Sequence, residues 1–263
     1  MIDQIVSNAP TFILVAARCL ALIMTTPLLA TNVVPQVAKI MLTGCMAFIV
    51  MPFAYVEGYN VDPFSLYYVL LLIGEVLIGV ITGFYISILF AALSSAGQFF
   101  TYQMGFGASE VYDSLSQVSN PLMGQYLNFI GFILFLQVGG FQKLFLGGIL
   151  RSFQTINAFT LVVEREAFVM ILLSGLTKLF FDAMVIALPL VGILFLISVC
   201  MGLLSKAAPQ MNLLSEGFPI TILVAFFMLT VLLPYMADFF MNLFDAGFKN
   251  LEQLFIDVGR QIE

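Results

Sequence analysis

Apolar residues run along this chain in blocks, and the rare charges mark where the blocks end. Uncharged stretches cover 19–38, 40–56, 76–109, 114–142, 183–205 and 217–237. A helix needs roughly 20 apolar residues to cross the ~30 Å hydrocarbon core of a bilayer, and these stretches approach or exceed that length. The pattern predicts apolar helices near 10–30, 37–56, 65–95, 122–150, 168–203 and 218–243. Two of them, 65–95 and 168–203, are long for one crossing, so tilts, kinks or breaks are expected, with Pro189 as one kink site. Past residue 243 polarity returns. Asp245, Lys249, Glu252, Asp257, Arg260 and Glu263 interleave with Leu251, Leu254, Phe255 and Val258 at helical spacing. Residues 244–263 therefore read as an amphipathic tail helix outside the apolar layer, following a helical domain over 1–243. The expected fold class is all-α: an integral membrane-type protein of about six long, partly kinked helices arranged as hairpins.

Composition sharpens this picture. Apolar residues make up 62% of the 263 and charged residues only 9%, against about 45–50% and about 25% in ordinary globular chains. So little charge cannot cover a water-facing surface. Histidine is absent, which excludes a Ser–His triad, His-ligated zinc and a His proton relay. The net charge of -6 argues against nucleic acid as a partner. Cys19, Cys45 and Cys200 lie far apart in apolar runs without ligand spacing, and read as small buried hydrophobes. No metal, cofactor or catalytic residue is expected. The N-terminus, Met1-Ile2-Asp3-Gln4, carries no base before the first apolar run, so a cleaved signal peptide is not expected.

Four charges stand where an apolar helix makes them costly: Arg18, Glu75, Lys178 and Asp182. A charge at the centre of a helix in lipid costs at least ~2.5–3.5 kcal/mol, so each must face protein or water and have a partner. Lys178 and Asp182, four residues apart, can satisfy each other on one helix face. With no histidine and few carboxylates, a structural role in assembly is favoured over a proton path. Between the third and fourth predicted helices, residues 96–121 form a central loop of glycines, amides, Phe and Met. Gly105 and Gly107 flank Phe106 and permit turns that other residues resist. Such a segment is either an exposed connector or a re-entrant plug, since irregular backbone at membrane depth must be buried or line water.

Several motifs occur in order along the chain. Arg18 is followed by Thr26-Pro27-Leu28. Glu75-Val76-Leu77-Ile78-Gly79 precedes Gly83-Phe84. Ala96-Gly97-Gln98 leads to Gln103-Met104-Gly105-Phe106, and Ser152-Phe153 comes later. Gly202-Leu203-Leu204-Ser205-Lys206-Ala207-Ala208-Pro209-Gln210-Met211-Asn212 precedes Gly217-Phe218-Pro219. This ordered set resembles the FliR family of flagellar export-gate proteins, whose virulence counterpart is the SctT (YscT/SpaR) component of type III secretion. The chain departs from the family at Phe100-Thr101, where members commonly carry Asp, and at Phe141, where a His is expected.

The resemblance implies a non-enzymatic subunit of the inner-membrane export gate in the flagellar basal body. It would be built with FliP and FliQ, neighbour FlhB and FlhA, and pass unfolded rod, hook and filament proteins. It further implies that Gln103, Met104, Gly105, Phe106 and Gly107 act as a channel gate or plug. Arg18, Glu75, Lys178 and Asp182 would serve as assembly charges. Lys206, Pro209, Gln210, Met211 and Asn212 would form a packed joint between hairpins, the plain alternative being an ordinary helix–helix turn. Two other readings compete: an SctT-type injectisome subunit, and a small-solute transporter with Glu75 and Asp182 as coupling carboxylates. A transporter commonly shows two related halves with matched breaks, and none is visible here.

Overall fold

A computed structural model describes residues 2–31, 33–53, 64–105, 122–156, 158–207 and 217–260. Its secondary structure is helical throughout, with no strand among the described residues. The protein is all-α. Helix α1 spans Ile2–Thr25 and the short α2 spans Pro27–Ala30. The single helix expected over 10–30 is broken here because Thr26 precedes a proline. Clash with the proline ring drives such a residue to extended backbone, and Thr26 has φ -73° and ψ 124°. Helix α3, Gln36–Val50, starts after Pro35 and ends in a 3-10 turn, Met51–Phe53. Helix α4 is one rod over Leu66–Gln103, eight residues beyond its expected end.

Helix α5 covers Leu122–Gln137. A helix was expected over 122–150, but it stops short of Gly139, which is in the left-handed region at φ +70°. That conformation is costly for residues with a Cβ and open to glycine. The chain then continues as α6 (Gly140–Lys143), a π-helical stretch (Leu144–Leu150) and α7 (Arg151–Thr155). A short α8, Ala158–Val163, precedes two 43-residue helices, α9 (Arg165–Ala207) and α10 (Phe218–Arg260). Both continue through an internal proline, Pro189 in α9 and Pro234 in α10. Among the described residues four helices, α3 with its terminal turn, α4, α9 and α10, are long and apolar enough to cross a membrane, and the bent pair Met123–Gln137 with Gly140–Thr155 makes a fifth if it counts as one span.

The chain divides into two compact units. The first comprises residues 1–89, 138–176 and 244–263. Within it α1 and α4 run in the same direction: Tyr68 Oη donates to the Pro10 carbonyl at 2.9 Å, and Ser87 Oγ to the Thr25 carbonyl at 2.7 Å. The end of α10 packs in this unit too. Leu251, Phe255 and Val258 are buried against Ile78, Tyr85, Ile156 and Phe168. The amphipathic tail expected over 244–263 is, as far as Arg260, the continuation of α10. Its apolar stripe meets protein.

The second unit comprises residues 90–137 and 177–243. There α4 and α5 form an antiparallel pair, with Phe90 against Phe135 at 5.5 Å between ring centroids and Gly97 against Gly124. A Cβ on Gly97 would lie 2.4 Å from the Gly124 Cα, so the backbones touch where side chains are missing. Cys19 is buried as expected, but Cys45 and Cys200 are exposed. On helices that are apolar all round, sequence does not distinguish an inner from an outer face.

Candidate functional site

Among the described residues most buried polar side chains lie in the first unit, and their arrangement begins with a glycine. A Cβ at Gly79 would stand 2.4 Å from the Arg18 carbonyl oxygen, so only glycine lets α4 approach α1 this closely. Glu75 lies one turn earlier on the same face of α4 and meets the Arg18 side chain. Arg18 Nε donates to Glu75 Oε2 at 2.6 Å and Nη2 donates to Oε1 at 2.9 Å, a two-pronged pair. Nη1 donates to Ser152 Oγ at 3.2 Å and Nη2 also donates to the Ile156 carbonyl at 3.0 Å. The Phe153 ring covers the guanidinium, its centroid 3.9 Å from Cζ.

Arg18 is 2% exposed and Glu75 0%. In so dry a place an ion pair offsets its desolvation only with good geometry and further hydrogen bonds, and both are present. The local backbone supplies them. In the π-helical stretch the Arg151 N–H bonds to the Leu146 carbonyl, five residues back. Ser152 Oγ, which accepts from Arg18, donates to the Ile149 carbonyl at 2.7 Å. Ile156 leaves the helix with φ -130° and ψ 132°, so its carbonyl is not committed to a following turn. The cluster joins α1, α4 and the segment after α6. Chemically it is a clamp: both charges are covered, and each strong bond is made to a fixed neighbour.

The structure therefore brings together Arg18 and Glu75, and adds Ser152 and Phe153. It does not unite Lys178 and Asp182 in the same way. Asp182 is buried and Lys178 exposed, and no direct ion pair joins them among the described residues. Four residues advance a helix by 400°, leaving the two about 40° apart in azimuth, enough to turn one inward and the other out. Lys178 acts on Asp182 only through space.

Of the gate residues, Gln103 ends α4, Met104 is fully buried and Gly105 is left-handed at φ +79°. Phe106 and Gly107 lie outside the described residues. Lys206 is exposed near the end of α9, and Pro209, Gln210, Met211 and Asn212 lie outside the described residues.

Sequence reasoning also missed the contacts of two lysines. Lys143 Nζ bonds Asp245 Oδ1 across 102 positions, and buried Lys39 donates from Nζ to the Ala30 carbonyl at 3.0 Å. Lys39 had a signal, since it interrupts an uncharged run. The Lys143–Asp245 pairing had none. Among the described residues no group of three or more His, Cys, Asp or Glu could hold a metal.

The family described as bacterial export proteins, family 1, matches residues 9–247. The chain belongs to that family. Among curated relatives it is 30% identical to the flagellar biosynthetic protein FliR of Bacillus subtilis over 98% of this chain and 99% of that protein. It is 29% identical to the FliR of Escherichia coli, over 90% of this chain and 89% of the relative. The FliR of Pectobacterium carotovorum is 31% identical, again over 90% and 89%. This family 1 export protein is a membrane-type, all-helical member of a flagellar export family, and not an enzyme. Arg18, Glu75, Ser152, Phe153 and Ile156 all lie within the matched span.

Proposed function

We propose that this chain is a subunit of the inner-membrane export gate of the flagellar type III secretion apparatus. It forms a channel with FliP and FliQ beside FlhB and FlhA, and passes unfolded rod, hook and filament proteins. The observation that carries this reading is the match to FliR proteins over nearly the full length of both chains. The flagellar names of these relatives favour this gate over its injectisome counterpart. Support comes also from the outer faces of the apolar helices. Val37, Ile40, Met41 and Phe48 on α3 and Phe180, Phe181, Leu188 and Phe195 on α9 are exposed. Contiguous apolar surface of this kind needs lipid or sister subunits to cover it.

In this reading the buried Arg18–Glu75 clamp gives the subunit the rigid shape its neighbours require, and the segment after α4 closes the idle channel. Met104 contributes to closure only by leaving its packing, and left-handed Gly105 is the hinge next to it. An unwetted constriction of flexible apolar side chains stops ions yet yields to a peptide.

Co-expression with FliP and FliQ, followed by mass measurement of the purified assembly, tests the reading. The chain is expected in one large complex with both. A stable, monodisperse monomer without affinity for them would overturn it. In cells carrying the assembled complex, Met104→Ala with Phe106→Ala should leak small solutes. A tight membrane with normal export would remove the closing role from this segment.

A further inference from the structure

A groove of about 470 Å³ opens in the first unit between the start of α9 and the end of α10. Its apolar lining includes Met170, Ile171 and Leu254, and Leu254 and Ile171 pack on the buried cluster beneath. Met170 is 69% exposed, a large apolar side chain presented to the surroundings. Two carboxylates, Glu166 and Asp257, stand among the lining residues with Ser174, Asn250 and Gln253, and no base lines the groove among the described residues. Both helices place it on the polar side of their uncharged runs, before residues 183–205 in α9 and after residues 217–237 in α10. A lipid tail has no use for two carboxylates. The combination of apolar lining, amide and hydroxyl groups and two carboxylates fits a helix with one apolar stripe flanked by Lys or Arg. A basic edge would meet Glu166 and Asp257, and apolar side chains at i and i+3 or i+4 would meet Met170 and Leu254.

We propose that this groove is the docking site for a basic amphipathic helix of another protein of the export apparatus, a contact that the gate reading does not specify. The proposal rests on that reading for the partner's origin and on the groove for its chemistry.

The test is photocapture in intact cells, with a photoreactive amino acid placed at Met170 or at Leu254 of the full chain. The captured segment is identified by mass spectrometry. It should carry net positive charge, with apolar residues at helical spacing. Glu166→Lys with Asp257→Lys should lower its capture about tenfold, the size expected when two exposed attractions become repulsions. Acidic residues introduced into the captured segment should restore it. The neutral pair Glu166→Gln with Asp257→Asn keeps the shape and should give an intermediate yield. Capture of phospholipid, capture of a neutral or acidic segment, or a yield unchanged by charge reversal would overturn the proposal. Because capture is read in cells, failure of the chain to co-purify with FliP and FliQ would count against the gate reading alone.

Discussion

Arg18 shows how a single costly residue is made affordable by its neighbours. Its guanidinium makes four hydrogen bonds and lies on an aromatic face, all inside the chain. Removing one member leaves the other charged and dry. Arg18→Ala or Glu75→Ala should therefore destabilise the protein by about 3–5 kcal/mol. Glu75→Gln, which keeps an acceptor, should lose less. Replacing both, as Arg18→Met with Glu75→Leu, should cost clearly less than the sum of the two single changes. Thermal melting in detergent checks this, and simple additivity would show that the pair is uncoupled. The same site predicts a steric effect. Gly79→Ala puts its Cβ against the Arg18 carbonyl at 2.4 Å and the Ala21 Cβ at 2.8 Å. Membrane accumulation should fall, whereas Gly44→Ala on α3, with nothing within 4 Å, should accumulate normally.

At the scale of elements, the existence and rough position of the helices were legible, because uncharged runs of helical length are a local property. The breaks at Thr26 and Gly139 were not anticipated, since the helices over 10–30 and 122–150 were read straight through them. Thr26-Pro27 and Val138-Gly139 carry recognisable chemistry, a residue before proline and a glycine in left-handed backbone. Pro189, expected as a kink site, does not end α9, which is helical from Arg165 to Ala207. The partner of each helix was not legible. Nothing in the run 90–137 announces that Gly97 and Gly124 allow α4 and α5 to touch backbone to backbone. Gly97→Ala should force that pair apart. Hydrogen exchange along Phe90–Gln137 should quicken, and unchanged protection would mean that α5 is held by other contacts.

For the molecule as a whole, the tail is the instructive case. Its charges and apolar stripe were legible in the sequence, and the protein surface that the stripe meets was not. Leu251, Phe255 and Val258 complete a core with Ile78, Tyr85, Ile156 and Phe168. A chain ending after Leu243 should then fail to accumulate in membranes, since large apolar side chains from three other elements lose their cover. A tail lying on a membrane surface would be dispensable for folding, and normal accumulation of the shortened chain would restore that view.

Hydropathy is a property of one residue and its near neighbours, so the sequence by itself determined an all-helical membrane-type chain, the charges that need partners and the motifs of an export family. Which partner answers which charge is a property of pairs. Arg18 and Glu75 are 57 positions apart, Lys143 and Asp245 are 102, and only tertiary packing joins them. The same holds for inside and outside. Lys39, Thr43, Ala47 and Val50 form the buried stripe of α3, while Val37, Ile40, Met41 and Phe48 face outward. On a helix that is apolar nearly all round, the period of the pattern does not mark a core face. Close backbone approach at glycines and the burial of a paired charge do, and both depend on where the rest of the chain has gone.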